Sequence, residues 1–301
     1  MSVSVLHVPQ AYLYNVIPQA DVTVEAEYGD VVLEGRLYTA AHHQASGQYV
    51  GRHKAEGGRP APCNDPNIPE LQDGSVAVSH VDLDTVGGCM RALGYAYWFE
   101  PEFASFWEAA EHVDVRGPHR LPADHPERRR LQAVWAYFGS ARKQYPRDQV
   151  VDITADIHAA AEAIGGILSG EEAYLRAGDE FAAAESALNR KSLRGSVGPV
   201  ARAIVVRESD QFTNHLYNIE GGLVGVAVVA HNTKMGSITV SLADPIPGVS
   251  CRQVVQELWG PEAGGHDGIA GSPRGKMMTR KDCGDAVKAL AEALGIERVE
   301  E

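Results

Sequence analysis

The sequence predicts a mixed α/β protein with two domains, and two patterns and a linker lead to this prediction. Before residue 190 most regular segments look helical, and a short apolar strand at 76–81 leads into a helix at about 85–94. After residue 200 three strand-like runs precede two helices, as in a compact α/β unit. Between these parts, "NRKSLRGSVGPV" (189–200) has the Gly, Ser and Pro content of a linker. We therefore expect domains at 1–190 and 200–301.

Local patterns predict the elements of the first domain. Residues 21–38 alternate apolar and polar side chains on both sides of "YGD", which predicts a β-hairpin, and the Gly-, Pro- and Asn-rich segment 52–74 predicts a long loop. The segment "HVDV" predicts a second short strand that ends at Asp114, so only one or two convincing strands precede residue 190. Helices are predicted for "FASFWEAAE" and for residues 126–143, 154–168 and 171–190.

The second domain has a clearer pattern of strands and helices. Its strand-like runs are "ARAIVVRES", "GLVGVAVVAHN" and "GSITVSLAD". Its helices are "SCRQVVQELWG" and "DCGDAVKALAEALG". This arrangement predicts a small α/β domain with a sheet covered by helices.

The bulk composition restricts the function classes. A formal net charge of -13 works against a long nucleic acid as partner, whereas a small phosphorylated ligand held through metal ions is compatible with it. Apolar stretches such as 223–230 are too short to cross a bilayer. Four scattered cysteines and an N-terminal sequence without a signal-peptide pattern predict a cytoplasmic protein without a disulfide scaffold. The sequence leaves the oligomeric state open.

A histidine and two aspartates stand where the strand at 76–81 gives way to a helix, in "SHVDLDTVGG" (79–88). An ionised carboxylate is costly to bury without a partner, so acids at the end of an apolar strand need a reason. Capping of the helix would account for Asp84 alone and would leave His80 and Asp82 unexplained. The segment therefore predicts a metal site, with capping by Asp84 as the alternative.

A glycine-rich loop, "GPEAGGHDGIAGSPRG" (260–275), separates the two helices of the second domain. Glycines let a backbone approach a ligand closely, and successive exposed amides bind anions. His266 and Arg274 would then contact a phosphate or carboxylate, with the arginine as a bidentate donor. A plain turn is the alternative interpretation of this loop.

Together these two motifs resemble those of the DHH phosphoesterase superfamily. "SHVDLDTVGG" resembles the first motif, in which an Asp-x-Asp after the first strand binds manganese. "GGHDGIAG" resembles the GGxH-x-x-A-G signature of the DHH-associated C-terminal domain, and the order of the two motifs is that of the family. The resemblance covers about residues 76–292, although the Asp-His-His tripeptide that names the family is absent.

The resemblance implies a phosphoesterase with an N-terminal parallel-sheet domain, a smaller C-terminal α/β domain and the site in the cleft between them. It implies two divalent metal ions, with manganese first and magnesium or zinc as alternatives, that act on a small nucleotide or other phosphate ester. The implied metal ligands are His80, Asp82, Asp84, Asp114 and His119. The implied catalytic residues are Asp82, Asp84 and His119, and the implied substrate-binding residues are Gly264, Gly265, His266 and Arg274.

Other side chains of the first domain have both a structural and a functional interpretation. Asp124 and His125, in "ADHPERR", mark the start of a helix, with metal binding as the alternative. Asp152 would cap the next helix and is also a candidate for a further ligand. The same two interpretations apply to Asp156, His158, Cys89 and the loop pair His42 and His43.

Two other function classes compete with the hydrolase. The absent tripeptide favours a ligand-binding or regulatory protein that keeps the fold with an incomplete metal site. A similar glycine-histidine domain also accompanies the editing modules of alanyl-tRNA synthetases. The His-x-x-x-His pair of those modules is absent here and the net charge is unfavourable for RNA, so this third class is the weakest.

Overall fold

The computed structural model describes residues 3–9, 19–28, 31–41, 48–50, 60–141, 143–146, 148–219, 223–265, 267–273 and 276–296. Within these residues the protein is a mixed α/β structure with seven α-helices and three sheets. It divides into two compact units, the first formed by Met1–Val115 and Leu121–Ala182 and the second by Arg116–Arg120 and Ala183–Glu301. None of the described helices is long and apolar enough to span a membrane.

A mostly parallel sheet forms the centre of the first unit. The strands of this unit are β1 (Val3–His7), β2 (Val22–Val24), β3 (Glu27–Tyr28), β4 (Val31–Leu33), β5 (Tyr38–Ala40), β6 (Gln48–Val50), β7 (Gly74–Val78) and β8 (Val151–Asp152). Five of them form the main sheet in the order β5-β2-β7-β1-β8, with all pairs parallel except β1 and β8. The carboxyl ends of β5, β2, β7 and β1 therefore lie along one edge of this sheet.

A small second sheet accounts for part of the predicted hairpin. Strands β3 and β4 pair antiparallel, and β6 pairs parallel with β4. The hairpin predicted for 21–38 is confirmed for its two central strands, β3 and β4. It is wrong for β2, which lies between β5 and β7 in the main sheet. Alternation of apolar and polar residues indicates strands, but the partner of each strand is decided by tertiary packing.

Five helices belong wholly or partly to the first unit, and the main predictions for them are confirmed to within about one turn. They are α1 (Leu83–Ala92), α2 (Ala104–Arg116), α3 (Arg128–Ala141), α4 (Thr154–Leu168) and α5 (Glu172–Ser192). Their apolar faces share one core with the main sheet, which includes Met90, Phe106, Trp107, Leu131 and Ile164. Burial of these large side chains is what holds the helices on the sheet.

Helix α1 lies unusually close to its neighbours because of Gly87 and Gly88. A Cβ atom on Gly87 would lie 2.5 Å from Cβ of Cys63, and one on Gly88 would lie 2.6 Å from Cγ1 of Val24. Side chains at these positions would therefore push the helix away from β2. The glycine pair of "SHVDLDTVGG" thus holds the start of α1, and the acids on it, against the sheet.

The second unit contains one sheet and two helices that cover it. Its elements are β9 (Leu193–Val197), β10 (Ile204–Ser209), β11 (Ala227–Asn232), β12 (Ser237–Leu242), α6 (Cys251–Trp259), β13 (Gly264–Gly265), β14 (Ile269–Gly271) and α7 (Arg280–Ala293). The strand order is β13-β14-β12-β11-β10-β9, and β10 and β11 are parallel while the other pairs are antiparallel. The three strands and two helices predicted for this region are confirmed.

Three secondary-structure predictions are wrong. The segment "HVDV" continues α2, so Asp114 lies on a helix rather than at the end of a strand. Packing of α2 in the core outweighs the β propensity of its valines. Residues 189–200 include the end of α5 and strand β9 instead of an open linker. Within the described residues, eight short strands rather than one or two precede residue 190, and those of two or three residues are too short to show a period.

Candidate functional site at the carboxyl edge of the first sheet

The junction between β7 and α1 places Asp82 as the N-cap residue of the helix. Its backbone is extended (φ −141, ψ −167), and its carboxylate accepts a hydrogen bond from the Thr85 amide at 3.2 Å. Asp84 lies inside the first turn, where its backbone is already helical. The capping alternative therefore names the wrong aspartate, because a cap must precede the first helical residue.

His80 connects the end of β7 to this cap. Its Nε2 lies 3.0 Å from Oδ2 of Asp82, and its Nδ1 lies 2.8 Å from Oγ of Ser79. The Ser79 hydroxyl also donates a hydrogen bond to the backbone carbonyl of Glu25. The side chains of His80 and Asp82 are 46% and 47% exposed, so the pair is reachable from solvent.

Three carboxylates at this edge, those of Asp82, Glu25 and Asp114, act electrostatically on Asp84, and the four residues are termed the acidic cluster here. Burial raises the pKa of Asp84 well above its ordinary value, and the negative charges of the other three members raise it further. Burial also opposes ionisation of Asp82, yet hydrogen bonds with His80 and Asp84 lower its pKa. The two carboxyl groups therefore titrate as a coupled pair, in which Asp82 ionises more readily than Asp84.

Glu25 is a member of the cluster that sequence analysis misses. It directly follows β2, it is fully buried, and its φ of +46 makes it the one non-glycine residue in the left-handed region within the described ranges. Such a conformation costs about 1–3 kcal/mol and is often found at functional sites. The signal in the sequence is an acid placed directly after the apolar run "VTV".

Asp114 reaches the cluster from α2. One turn earlier on this helix, Glu111 accepts hydrogen bonds from the backbone and side chains of the turn at 61–64. Cys63 in this turn is fully buried, and its pKa is raised by burial and then by the charges of Asp84, Glu111 and Asp114. Its thiol is therefore held protonated, which makes Cys63 a packing residue rather than a nucleophile.

His7 is a second residue at this edge that sequence analysis misses. It is the last residue of β1, it lies beside Val78 in the sheet, and it is 8% exposed. Burial lowers its pKa, a hydrogen bond with the Ser79 backbone partly offsets this, and the charge of His80 lowers it again. The imidazole is therefore neutral near physiological pH. Its signal is a histidine that ends the apolar run "VSVL".

Three of the alternative candidates have partners that give them structural roles. Asp152 accepts hydrogen bonds from the amide and the hydroxyl of Thr154 at the start of α4, but the N-cap residue is Ile153, so the capping prediction is wrong in position; Asp156 and His158 lie on α4 itself. Their partners are the Thr154 amide for Asp152 (2.9 Å), Lys143 for Asp156 (2.5 Å) and the Tyr95 hydroxyl for His158 (2.6 Å). These contacts account for all three side chains without a metal ion.

The structure also supports the structural interpretation of the other candidate residues that it describes. Asp124 is exposed, and His125 accepts a backbone hydrogen bond in the turn before α3, as expected for residues at a helix start. Cys89 is fully buried in α1 and burial raises its pKa, which agrees with a packed apolar residue. His42 and His43 lie outside the described residues.

His119 belongs to the second unit, whereas the acidic cluster belongs to the first. Its Nε2 lies 2.9 Å from the carbonyl oxygen of Ala243, and its ring centroid lies 4.5 Å from that of Tyr217. Burial lowers its pKa, partly offset by the hydrogen bond to Ala243. A catalytic or metal-binding role for His119 stays a prediction.

Gly264 and Gly265 form β13 and pair with β14 in a short hairpin. Gly265 has φ +151, and a Cβ atom there would lie 2.4 Å from the carbonyl oxygen of Ile269. Only glycine fits such a close approach between the two strands. The plain-turn interpretation therefore explains Gly265, and ligand binding by the two glycines stays a prediction.

An open cavity of about 500 Å³ lies beside this hairpin, lined by Glu262, Gly264, Gly265 and Ser272. Exposed backbone groups of the hairpin thus face a volume large enough for a phosphate group. The two side chains predicted to hold the substrate here, His266 and Arg274, lie outside the described residues.

The donor types at the sheet edge fit a hard divalent cation, since carboxylate oxygens and imidazole nitrogens bind Mn²⁺, Mg²⁺ or Zn²⁺. Two buried atoms near the cluster, Oγ1 of Thr85 and Nδ1 of His7, have no hydrogen-bond partner within the part of the chain that the structure describes. In the same part, no three His, Cys, Asp or Glu side chains are placed to hold one ion together. The cluster thus has the composition of a metal site without a preformed set of three ligands.

Comparisons with known proteins add little to this geometry. No protein-family model matches the sequence. No curated protein matches it either. One similar solved structure is an exopolyphosphatase-related protein from Bacteroides fragilis, which is 12% identical with a TM-score of 0.31; the match covers 73% of this chain and 58% of that one. The chain therefore matches less than two thirds of that protein's length, and a similarity of this degree does not establish a shared family.

Proposed function

We propose that the protein is a metal-dependent phosphoesterase-like hydrolase, a divergent member of the DHH superfamily that acts on a small nucleotide or other phosphate ester. The observation that carries this proposal is the acidic cluster, whose carboxylates lie close enough to raise the pKa of Asp84. Proteins avoid placing buried like charges together unless a cation or a chemical task uses them. The motif "SHVDLDTVGG" supplies two of the four acids, in the order that the superfamily uses.

The metal ligands in this proposal are His80, Asp82, Asp84 and Asp114, with His119 as a further ligand. A bound divalent ion, manganese first, would polarise the phosphoryl group and lower the pKa of an attacking water. The chain's own contribution is to orient these donors: the start of α1 holds Asp82 at the N-cap and Asp84 in the first turn, two residues apart, and Ser79 fixes the ring of His80.

The raised pKa of Asp84 has a consequence for metal binding. A cation at the cluster competes with a proton on Asp84, because both neutralise the same carboxylates. Metal affinity is therefore expected to rise with pH. Substrate recognition is assigned to Gly264, Gly265, His266 and Arg274, whose amides and side chains have the chemistry to bind a phosphate group.

The test is a hydrolysis assay with nucleotides, polyphosphate and simple phosphate esters in the presence of Mn²⁺, Mg²⁺ or Zn²⁺. The key variant is Asp82→Ser, which removes the carboxylate but keeps a good N-cap for α1. We expect a loss of kcat of about a hundredfold or more with a melting temperature close to that of the wild type, since several kcal/mol of transition-state stabilisation depend on the ion. Asp124→Asn, at an exposed acid before α3, is the matched control and should retain full activity.

The second function, a ligand-binding or regulatory protein, is favoured by one observation. The described residues do not bring three metal ligands together. If the wild-type protein hydrolyses nothing on this panel and still binds a nucleotide in a way that depends on Arg274, the hydrolase proposal fails and the binding function replaces it.

A further inference from the structure

A short chain of hydrogen-bond contacts links the end of β2 to the end of β7 at the carboxyl edge of the first sheet. The two strands are parallel neighbours. The hydroxyl of Ser79 donates to the backbone carbonyl of Glu25, and its oxygen lies 2.8 Å from Nδ1 of His80. Nε2 of the same ring lies 3.0 Å from Oδ2 of Asp82. Ser79 therefore joins the backbone after β2 to a ring that contacts the acidic cluster.

The protons available in these contacts select the nitrogen of His80 that faces Asp82. A serine hydroxyl has one proton, and a carbonyl oxygen only accepts, so the Ser79 proton points to Glu25. The Ser79 oxygen is then an acceptor towards the ring, and the contact of 2.8 Å requires an N–H at Nδ1. A neutral imidazole with its proton on Nδ1 has its lone pair on Nε2. The contacts therefore direct that lone pair to Asp82.

The contact between His80 and Asp82 then joins two acceptors. Nε2 and Oδ2 both present lone pairs when the ring is neutral and the carboxylate is ionised. A proton on Nε2 removes the repulsion, and so does a cation bound to both atoms. Two ligands of one ion with bonds of about 2.1 Å at right angles lie about 3.0 Å apart. The observed separation of 3.0 Å is therefore that of two adjacent ligands of a divalent ion.

The left-handed backbone of Glu25 has a use in this arrangement. Directly after β2, at φ +46, its amide still donates to the carbonyl of Ala40 at 2.9 Å, while its own carbonyl accepts from the side chain of Ser79. Such a conformation persists where the surroundings hold it, and it is found at ligand sites. Here the carbonyl of Glu25 holds the hydroxyl of Ser79, and the hydroxyl holds the ring of His80.

Two other histidines of the chain have the opposite arrangement. His119 and His231 contact the backbone carbonyl oxygens of Ala243 and Met278 through Nε2, at 2.9 and 3.2 Å. Because a carbonyl only accepts, Nε2 has the proton in both rings, and the lone pair of the neutral ring is on Nδ1. The proton position in His80 therefore depends on its contact with Ser79.

We propose that Ser79 is a positioning residue, whose hydroxyl holds the proton of His80 on Nδ1 so that Nε2 binds the divalent cation together with Asp82. This inference rests on the proposed function, since it assumes that the acidic cluster binds a cation. Histidines that bind metal ions usually have their second nitrogen fixed by a hydrogen bond in this way.

The test measures Mn²⁺ binding to the full-length protein, from the electron paramagnetic resonance signal of free Mn²⁺ during a titration. Ser79→Ala removes the hydroxyl, and we expect its Mn²⁺ affinity to fall about tenfold or more, as is usual when a supporting residue of a metal ligand is lost. Ser79→Thr keeps the hydroxyl and should bind Mn²⁺ nearly as tightly as the wild type. The matched control is Ser4→Ala, at a serine of β1 whose hydroxyl contacts the backbone carbonyl of Gly74, and it should bind like the wild type.

A further variant separates the failure of this inference from that of the proposed function. Asp82→Ser should lose Mn²⁺ binding if the cluster is a metal site. If Asp82→Ser loses binding while Ser79→Ala binds like the wild type, the role of Ser79 is wrong and the metal site stands. If the wild type binds no Mn²⁺, the metal-dependent function fails and the inference with it.

Nitrogen NMR provides a readout that a purely structural role of Ser79 would not change. Zn²⁺ is diamagnetic and suits the same donors. In the wild type loaded with Zn²⁺, the ¹⁵N signals of His80 should show a protonated Nδ1 and a metal-bound Nε2. In Ser79→Ala we expect coordination through both nitrogens, because nothing holds the proton on Nδ1. A wild-type ring that binds through Nδ1, or whose Nε2 keeps its proton, would overturn the proposal even if Ser79→Ala fails to fold.

Discussion

The two units of this protein both bury charge, but they surround it differently. In the second unit Arg207 is fully buried on β10, and it donates to the backbone carbonyls of Leu216, Asn189 and Asn218 and to the hydroxyl of Ser192. Burial lowers its pKa to about 10, so the guanidinium stays charged near neutral pH. Neutral dipoles oriented towards the cation compensate the loss of hydration.

In the first unit the buried groups of the acidic cluster have neighbours of the same sign. The charges of Asp82, Glu25 and Asp114 add to burial in raising the pKa of Asp84. Burial of charge therefore does not by itself mark a functional site. The charge of Arg207 is stabilised by the carbonyl and hydroxyl dipoles that face it. The acidic cluster, in contrast, would be stabilised by a bound cation or proton.

Removal of Arg207 should have the largest effect and tests the structural side of this comparison. In Arg207→Met at least two buried backbone carbonyls lose their donor at about 1–3 kcal/mol each, so we expect the free energy of unfolding to fall by roughly 2–6 kcal/mol. Urea-induced unfolding measures the change. Arg190→Met, at an exposed arginine on α5, should stay within about 0.5 kcal/mol of the wild type.

Asp84→Asn should have the opposite effect on stability. A carboxyl whose pKa is raised in the folded state stabilises fully below its ordinary value of 3.8 and loses this contribution as the pH rises through the raised pKa. Near neutral pH the variant should therefore be more stable than the wild type, because an amide has no charge whose burial costs free energy. Thermal unfolding across a pH series checks this, and a variant that is less stable than the wild type at every pH would contradict the cluster.

Asp82 combines a structural and a functional role, and two variants separate them. Asp82→Ala removes the N-cap of α1 and should lower the free energy of unfolding by about 0.5–2 kcal/mol. Asp82→Ser keeps an N-cap side chain, so its free energy of unfolding should fall by only a small part of this amount. If the free energy of unfolding falls equally in both variants, the Asp82 carboxylate stabilises α1 through its charge rather than as an N-cap. Thermal and urea unfolding under metal-free conditions provide the comparison.

The smallest effect is expected at Glu208 in the second unit, whose charge is paired near the surface. Hydrogen bonds from Arg280 lower its pKa from 4.5 to about 2, and Arg194 adds to the effect. The pair therefore stabilises above pH 4.5 and loses this contribution as the pH falls towards 2. Glu208→Gln should be slightly less stable than the wild type near neutral pH, and the difference should shrink on acidification. A difference independent of pH in urea unfolding would show that Glu208 acts through packing alone.

The sequence by itself determines the elements with a long regular pattern. Helices α3, α4 and α5, strands β10, β11 and β12 and both helices of the second unit are visible in the order of residues, because periodicity is a local property. The position of His80, Asp82 and Asp84 at a strand-to-helix junction is visible for the same reason. The residue pattern therefore identifies Asp82 and Asp84, and the family resemblance adds Asp114, which leaves Glu25 as the member of the acidic cluster that was missed.

Only the tertiary structure decides which other residues lie beside Asp82 and Asp84. The strand order β5-β2-β7-β1-β8 brings Glu25 after β2 and His7 at the end of β1 to the edge where Asp84 lies, and α2 adds Asp114. Strands of three to five residues carry too little pattern to reveal their partners. The different pKa shifts of Asp82 and Asp84 also depend on burial and on neighbours distant in sequence, which the order of residues alone does not define.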